Sequence, residues 1–321
     1  MDKDLETEIT LRVDRVMGVY VRTPEVKLAN ELIARTLVKR RGGGEALCGL
    51  ITGLSGCGKS RIFQLYMASQ PPAAPDTMPL LAFETPSPFT MKAILDAMLD
   101  AMGVEGFPGR HDIVQMRKRV LYYLDKLKVR MIFMEEVQHI VDRKERTAKI
   151  PYWALDFIKL YLLDKAKVPI VMNGIPTAKD IFVINGQMEQ RREGTVELTP
   201  YDSTDAIRRK QFMLLLEKFE VEAGFPTAFL KGDDALCRRV LRATDGIHGL
   251  VAKLMADATE IGIRKGAPGL TVEVLALAYA RRATPEKGWV NPMLVDVAPP
   301  AKVPDETRVT PLHKRKKGEA S

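Results

Sequence analysis

Gly53, Gly58, Lys59 and Ser60 stand in the spacing G-x-x-x-x-G-K-S within the stretch GLSGCGKS. That pattern suits one chemistry above others, the holding of a nucleoside triphosphate by its phosphates. Glycines let successive backbone N–H groups converge on phosphate oxygens at the start of a helix, where the helix dipole also favours anions. The lysine ammonium reaches the β- and γ-phosphates, and the serine hydroxyl coordinates Mg2+. On this reading Gly53, Ser55, Gly56, Cys57, Gly58, Lys59, Ser60 and Arg61 form the nucleotide-binding stretch, with ATP and Mg2+ as its ligands.

A phosphate cradle needs an acidic partner at the end of a neighbouring strand. The segment MIFMEEVQHI supplies two, Glu135 and Glu136. Glu135 is expected to share the Mg2+ shell with Ser60, and Glu136 to orient and deprotonate the attacking water. A kinase would place its acceptor substrate there, so a glutamate aimed at water signals hydrolysis. The other reading is two exposed glutamates opening a helix, favoured there by the dipole. Asn173 closes the apolar strand VPIVMN, where an amide can hydrogen-bond both the γ-phosphate and the water. An asparagine there can also simply cap the following turn. His139, one turn past Glu136, is given a structural reading only.

The elements that must carry these residues alternate. Residues 1–45 read as a helical segment ending in RRGGGE. ALCGLIT is an apolar strand running into the glycine loop, and SRIFQLYMA continues as a helix. LLAFE (80–84), VRMIFME (129–135), VPIVMN (168–173) and TVEL (195–198) supply four more strands. Between them, Met91, Ile94, Leu95, Met98, Leu99 and Met102 recur at helical spacing and read as core. A further helix covers 113–128, with RKR (117–119) facing water. YWALDFIKLYLLDKA reads as another helix. This alternation predicts an α/β core over 46–202 with a parallel five-stranded sheet covered on both faces. Residues 203–285 then give four helical segments, a small all-helical lid domain. Residues 286–321 form a basic tail, mostly disordered in expectation because it holds too few large apolar residues to bury a core. Lys314, Arg315, Lys316 and Lys317 cluster within it.

Composition narrows the class. A chain of 321 residues, 46% hydrophobic and 28% charged, is that of a soluble globular protein. No apolar run approaches the roughly 20 residues of a membrane span, and the acidic start MDKDLETEIT is unlike a secretory signal. Cys48, Cys57 and Cys237 are isolated, which argues against a disulfide framework or zinc site and suits a reducing cytoplasm. The net charge of +8 fits either a solvated basic surface or a polyanionic partner.

Glycine loop, acidic pair, polar strand end and trailing helical domain together resemble an AAA+ ATPase. Their order and spacing are most similar to the TniB/TnsC-like ATPases that regulate transposition, over roughly residues 10–265. The specific carriers are ETPSPFTMKAILDAMLDAMG (84–103), MEEVQHI (134–140) and VPIVMNGIPTAKDI (168–181). The resemblance implies ATP-dependent homo-oligomers or filaments around double-stranded DNA, working with a DDE-type transposase and a TniQ-like adaptor. It also implies an arginine acting on the neighbouring subunit's site from GQMEQRREG, either Arg191 or Arg192. DNA held by its backbone needs phosphate contacts. Arg143, Lys144, Arg146 and Lys149, in the loop after the acidic strand, are placed to make them. Lys92 joins them, in a segment that resembles a DNA-facing part of the family.

The chain departs from the family pattern in three places, the doubled arginine of GQMEQRREG being one. Glu135 stands where the family usually has aspartate. In TDGIHGLVAKL (244–254) Gly249 occupies the usual position of a lid arginine, with Lys253 the possible substitute. Two other functions share most of these features. One is a replication-initiator or helicase-loader ATPase. The other is a nucleotide-switched signalling or secretion ATPase that binds protein rather than DNA.

Overall fold

The computed structural model describes residues 3–41, 45–104, 112–141, 152–184, 186–202, 206–283 and 290–295. Two helices, α1 (Lys3–Met17) and α2 (Pro24–Arg41), precede β1 (Cys48–Gly53) and α3 (Lys59–Ala68). There follow β2 (Leu80–Glu84), α4 (Met91–Ala101), α5 (Ile113–Lys126) and β3 (Met131–Glu135), the last running into a 3-10 turn at Val137–Ile140. Helix α6 (Tyr152–Asp156) continues as a π-helix over Phe157–Lys165, and β4 (Ile170–Gly174) leads into a 3-10 turn at Pro176–Lys179. Then come α7 (Asp180–Ile184), α8 (Gly186–Gln190) and β5 (Arg192–Leu198). Four helices close the described fold: α9 (Ala206–Ala223), α10 (Asp234–Thr244), α11 (His248–Arg264) and α12 (Val272–Arg282).

The expected α/β core is present. The five strands lie in the order β2-β3-β4-β1-β5, and every pair is parallel. β1 lies between β4 and β5 and is buried at every position, as a strand covered on both faces requires. One face is covered by α4, α5 and the π-helix through Ile94, Leu95, Met98, Val120, Phe157 and Ile158. The other is covered by α2 and α3 through Leu32, Ile33, Ile62 and Phe63, with Phe63 stacked on Phe133 at 4.4 Å. The methionine stripe of α4 is therefore core, as its spacing requires. Threonine or aspartate side chains accept the first free N–H groups of α4, α5, α10 and α12, at Thr90, Asp112, Asp233 and Thr271. Because all strands are parallel, their C-terminal ends share one edge of the sheet. Thr52 is in register with Gly174 and Glu197, and Glu84 with Glu135.

The structure corrects several local readings. Within RKR, Lys118 is exposed but Arg117 turns inward. Its guanidinium lies 4.8 Å from the Tyr161 ring centroid and donates to the Tyr161 hydroxyl at 2.8 Å. β5 starts at Arg192, ahead of TVEL, because Cys48 N–H donates to Arg191 O at 2.8 Å and opens the pairing early. The segment read as one helix from Tyr152 widens to a π-helix after Asp156. The N-terminal segment splits between layers. Val16 of α1 and Val19 beyond it are buried in the lid core beside Phe212, Phe219 and Met255, whereas α2 lies on the sheet. In the lid, the buried Glu220 carboxylate accepts the N–H groups of Phe229, Leu230 and Lys231, pinning the turn before α10. After α12 the chain returns to the lid, where Met293 is buried and Asn291 Nδ2 donates to Ala276 O at 2.9 Å. Lys314, Arg315, Lys316 and Lys317 lie outside the described residues, as do Arg143, Lys144, Arg146 and Lys149.

Candidate nucleotide site

Between β1 and α3 the chain makes the tight loop that the motif demands. Gly56 (φ 83°) and Gly58 (φ 94°) both take the left-handed backbone that glycine adopts without strain. Gly53 is required for a different reason, since a Cβ there would lie 2.6 Å from Leu198 O on the neighbouring strand. Lys59 is buried, and its ammonium donates to Gly53 O at 2.9 Å and Leu54 O at 3.1 Å. Burial pulls its pKa below the usual lysine value, and the nearby carboxylate of Glu136 opposes that fall. Ser60 sits half-buried in the first turn of α3. Arg61 turns away from the loop and reaches Gly18 O at 3.4 Å.

The acidic pair closes the other side. Glu135 ends β3 and Glu136 follows in a left-handed conformation, φ 53° and ψ 39°. That conformation costs a glutamate on the order of 1 kcal/mol, so the surrounding bonds must hold it. Asn173, fully buried on β4, supplies them. Its Oδ1 accepts the Glu136 N–H at 3.2 Å, and its Nδ2 donates to Glu135 Oε2 at 3.2 Å. With β4 between β1 and β3, the pair lies two strand spacings, about 10 Å, from the glycine loop. Lys59, Glu135, Glu136 and Asn173 are thus brought to one edge, as the spacing requires.

Gln138 and a cleft beside the loop were missed in the sequence, whereas His139 takes the structural place read for it. Gln138 donates from Nε2 to Glu136 Oε2 at 2.5 Å and accepts the Ile175 N–H at 3.2 Å through Oε1. His139 Nδ1 lies 2.9 Å from Thr85 O, joining the ends of β2 and β3. A cleft beside the loop is lined by Tyr20, Glu25, Cys57, Tyr201, Arg208 and His248. Tyr20 and His248 meet edge to face at 5.6 Å, and Arg208 pairs with Glu25 at 3.4 Å.

The lid reaches the loop directly. Gly249 N–H at the start of α11 donates to Gly56 O at 2.8 Å, and a Cβ on Gly249 would come within 3.1 Å of that oxygen. The place of the family's lid arginine is therefore filled by backbone, and Lys253, one turn on, is exposed. Among the described residues no cluster of three His, Cys, Asp or Glu could hold a metal by itself.

Arg191 and Arg192 lie at the far end of the sheet. Arg192 is in register with Cys48, five residues before Gly53, which is about 16 Å along a strand. Arg191 is 13% exposed and locked to Glu45 at 2.6 Å and Asp164 at 2.7 Å. Arg192 is more open, pairs with Glu189 and lies 5.6 Å from the Phe182 ring centroid. Lys92 is exposed near the start of α4, which follows β2 on the same sheet edge as the nucleotide loop.

A family model described as Bacterial TniB protein matches residues 17–201. Among curated proteins no sequence matches significantly. Solved structures share the fold. The Aeropyrum pernix ORC2 protein, in ADPNP–ADP complexes, is 15% identical, with 85% of this chain and 72% of that one covered and a TM-score of 0.55. Cdc6p from Pyrobaculum aerophilum is 15% identical over 83% and 70% of the two chains, TM-score 0.56. The Aeropyrum pernix ORC1 protein in complex with DNA is 16% identical over 80% and 64%, TM-score 0.55. The architecture is that of the AAA+ P-loop ATPases. No helix among the described residues is long and apolar enough to cross a membrane.

Proposed function

We propose, since the chain belongs to the TniB family and has the AAA+ fold, that it is a DNA-binding ATPase that selects or licenses target DNA for a DDE-type transposase. The observation that carries the hydrolytic half is the Asn173 clamp, which holds Glu135 and Glu136 at the sheet edge opposite the buried Lys59. Lys59 exchanges its two loop carbonyls for phosphate oxygens. Ser60 and Glu135 would hold Mg2+, which would supply counter-charge to the phosphates. Glu136 takes the proton of the attacking water as the water oxygen bonds to the γ-phosphorus. The bond to the bridging oxygen breaks, leaving ADP and phosphate.

Arg192 is the arginine we assign to the neighbouring subunit's site, because Arg191 is held by two carboxylates of its own chain. Duplex DNA as partner is supported by the net charge of +8 and by the DNA complex of the similarly folded ORC1 protein. Lys92, with Arg143, Lys144, Arg146 and Lys149, is the set we assign to its phosphates. A TniQ-like adaptor completes the assembly. The likeness to ORC and Cdc6 proteins favours, as a second reading, a replication-initiator ATPase. Filter binding of duplex DNA with and without a non-hydrolysable ATP analogue tests the shared part. Nucleotide-dependent retention is expected, lost in Lys59→Ala. Stimulation of a DDE transposase on that DNA separates the two readings.

A further inference from the structure

We infer that Gln138 is a positioning residue for hydrolysis, tying the Glu136 carboxylate to the end of the strand that carries Asn173. This rests on the ATPase reading above. Gln138 lies in the 3-10 turn after Glu136, and both ends of its amide are used. The amide has one orientation that serves both partners, since a carboxylate needs a donor and the Ile175 N–H needs an acceptor. Its Nε2 holds Glu136 Oε2 at 2.5 Å, and its Oε1 takes the Ile175 N–H at 3.2 Å.

Ile175 is two residues past Asn173, so the end of β4 grips the acidic pair at two points. The Asn173 side chain fixes the Glu136 backbone, and the Ile175 backbone fixes the Glu136 carboxylate through Gln138. A movement of the β4 end is thereby transmitted to the carboxylate that must face the water. Backbone restraint alone would leave that carboxylate free to rotate about its side-chain torsions. The fold makes room for the bridge. At Gly174 a Cβ would stand 2.8 Å from Gln138 Oε1 and 2.9 Å from the Ala178 Cβ, so any side chain there would displace the amide.

The test uses full-length protein with saturating duplex DNA and compares Gln138→Leu, Gln138→Glu and Gly174→Ala by steady-state ATPase and by binding of a fluorescent ATP analogue. Gln138→Leu is expected to lower kcat by about tenfold to a hundredfold, the scale of a misplaced catalytic group, with nucleotide affinity unchanged within twofold. Gln138→Glu keeps an acceptor for Ile175 but loses the donor to Glu136, so it should fall at least as far. Gly174→Ala displaces the amide without altering Gln138 and should lower kcat in the same direction. Wild-type kcat in Gln138→Glu would show that the residue only props the β4 loop, and overturns the inference. So does a loss confined to nucleotide affinity. A wild-type protein that hydrolyses no ATP overturns the ATPase reading and this inference together. An active wild type with unaffected variants overturns this inference alone.

Discussion

At the scale of single residues, Lys59 and Glu136 divide binding from chemistry. The ammonium of Lys59 is already desolvated and aimed into the glycine loop, so its removal leaves two carbonyls without a donor and no counter-charge for phosphate. Lys59→Ala should abolish ATP binding, read by isothermal titration. Glu136→Gln keeps the shape and the backbone bond to Asn173 but cannot take a proton. It should bind ATP normally and lose turnover by about 10²-fold or more, the usual worth of a general base. Normal turnover in that variant would remove Glu136 from the mechanism. His248 yields a prediction with a sign. Its burial beside Tyr20, with the charge of Arg61 in the same direction, holds its pKa below the ordinary 6.5 despite a bond to the Val19 backbone. The unfolded chain therefore takes the proton first. The stability contributed by neutral His248 is whole above pH 6.5 and drains away as pH falls through the folded value. Thermal melts from pH 7 to pH 5 should show wild type losing more stability than His248→Phe. That the phosphate loop, the acidic pair and Asn173 meet at one sheet edge was legible because each stands at the end of an apolar strand of a parallel sheet. Gln138 was not, since its meaning comes from Ile175, 37 positions away.

At the scale of elements, the joint between core and lid is built on glycine. Gly246 closes the turn between α10 and α11 at φ 65°, and Tyr201 N–H donates to its carbonyl at 2.9 Å. A Cβ there would sit 2.1 Å from Tyr201 O, a collision with backbone that no rotamer change relieves. Gly246→Ala should therefore cost on the order of 2 kcal/mol or more. Gly103 makes the comparison, because it has a similar φ of 67° and nothing within 4 Å of an added Cβ. Gly103→Ala should incur only the left-handed strain, about 1 kcal/mol. Equal melting temperatures for the two variants would mean that the Tyr201 contact constrains nothing. The strands and most helices were legible from apolar runs and periodicity, since burial on one or both faces dictates those patterns. What escaped was whatever depends on packing against the rest of the chain. α1 gives no sign that it belongs with the lid, Arg117 reads as surface until Tyr161 is beside it, and the π-helix buries Phe157, Ile158, Leu162 and Leu163 at a spacing of five within a run apolar enough to read as an ordinary helix.

At the scale of the whole molecule, the sheet itself separates the nucleotide from the arginine that would complete its site. The phosphate loop leaves the C-terminal end of β1, and Arg192 stands beside the opposite end. A single subunit cannot fold one onto the other without breaking the parallel pairing. A heterologous, head-to-tail contact solves this, because it presents one end of each sheet to the other end of its neighbour's. Turnover per subunit should then rise with protein concentration, and Arg192→Ala should lose activity while still binding ATP. Subunit mixing gives the decisive form. Arg192→Ala keeps an intact site but lacks the arginine, and Glu136→Gln keeps the arginine but lacks the base. Each should be nearly inactive alone. In an equal random mixture, about a quarter of head-to-tail interfaces place an intact site against an intact arginine, so about a quarter of wild-type turnover should return. Arg191→Ala in place of Arg192→Ala should not behave this way, because its ties to Glu45 and Asp164 give it a structural role within its own chain. A mixture no more active than its components would place the completing arginine elsewhere or make each subunit self-sufficient, and concentration-independent turnover by a proven monomer would establish the second.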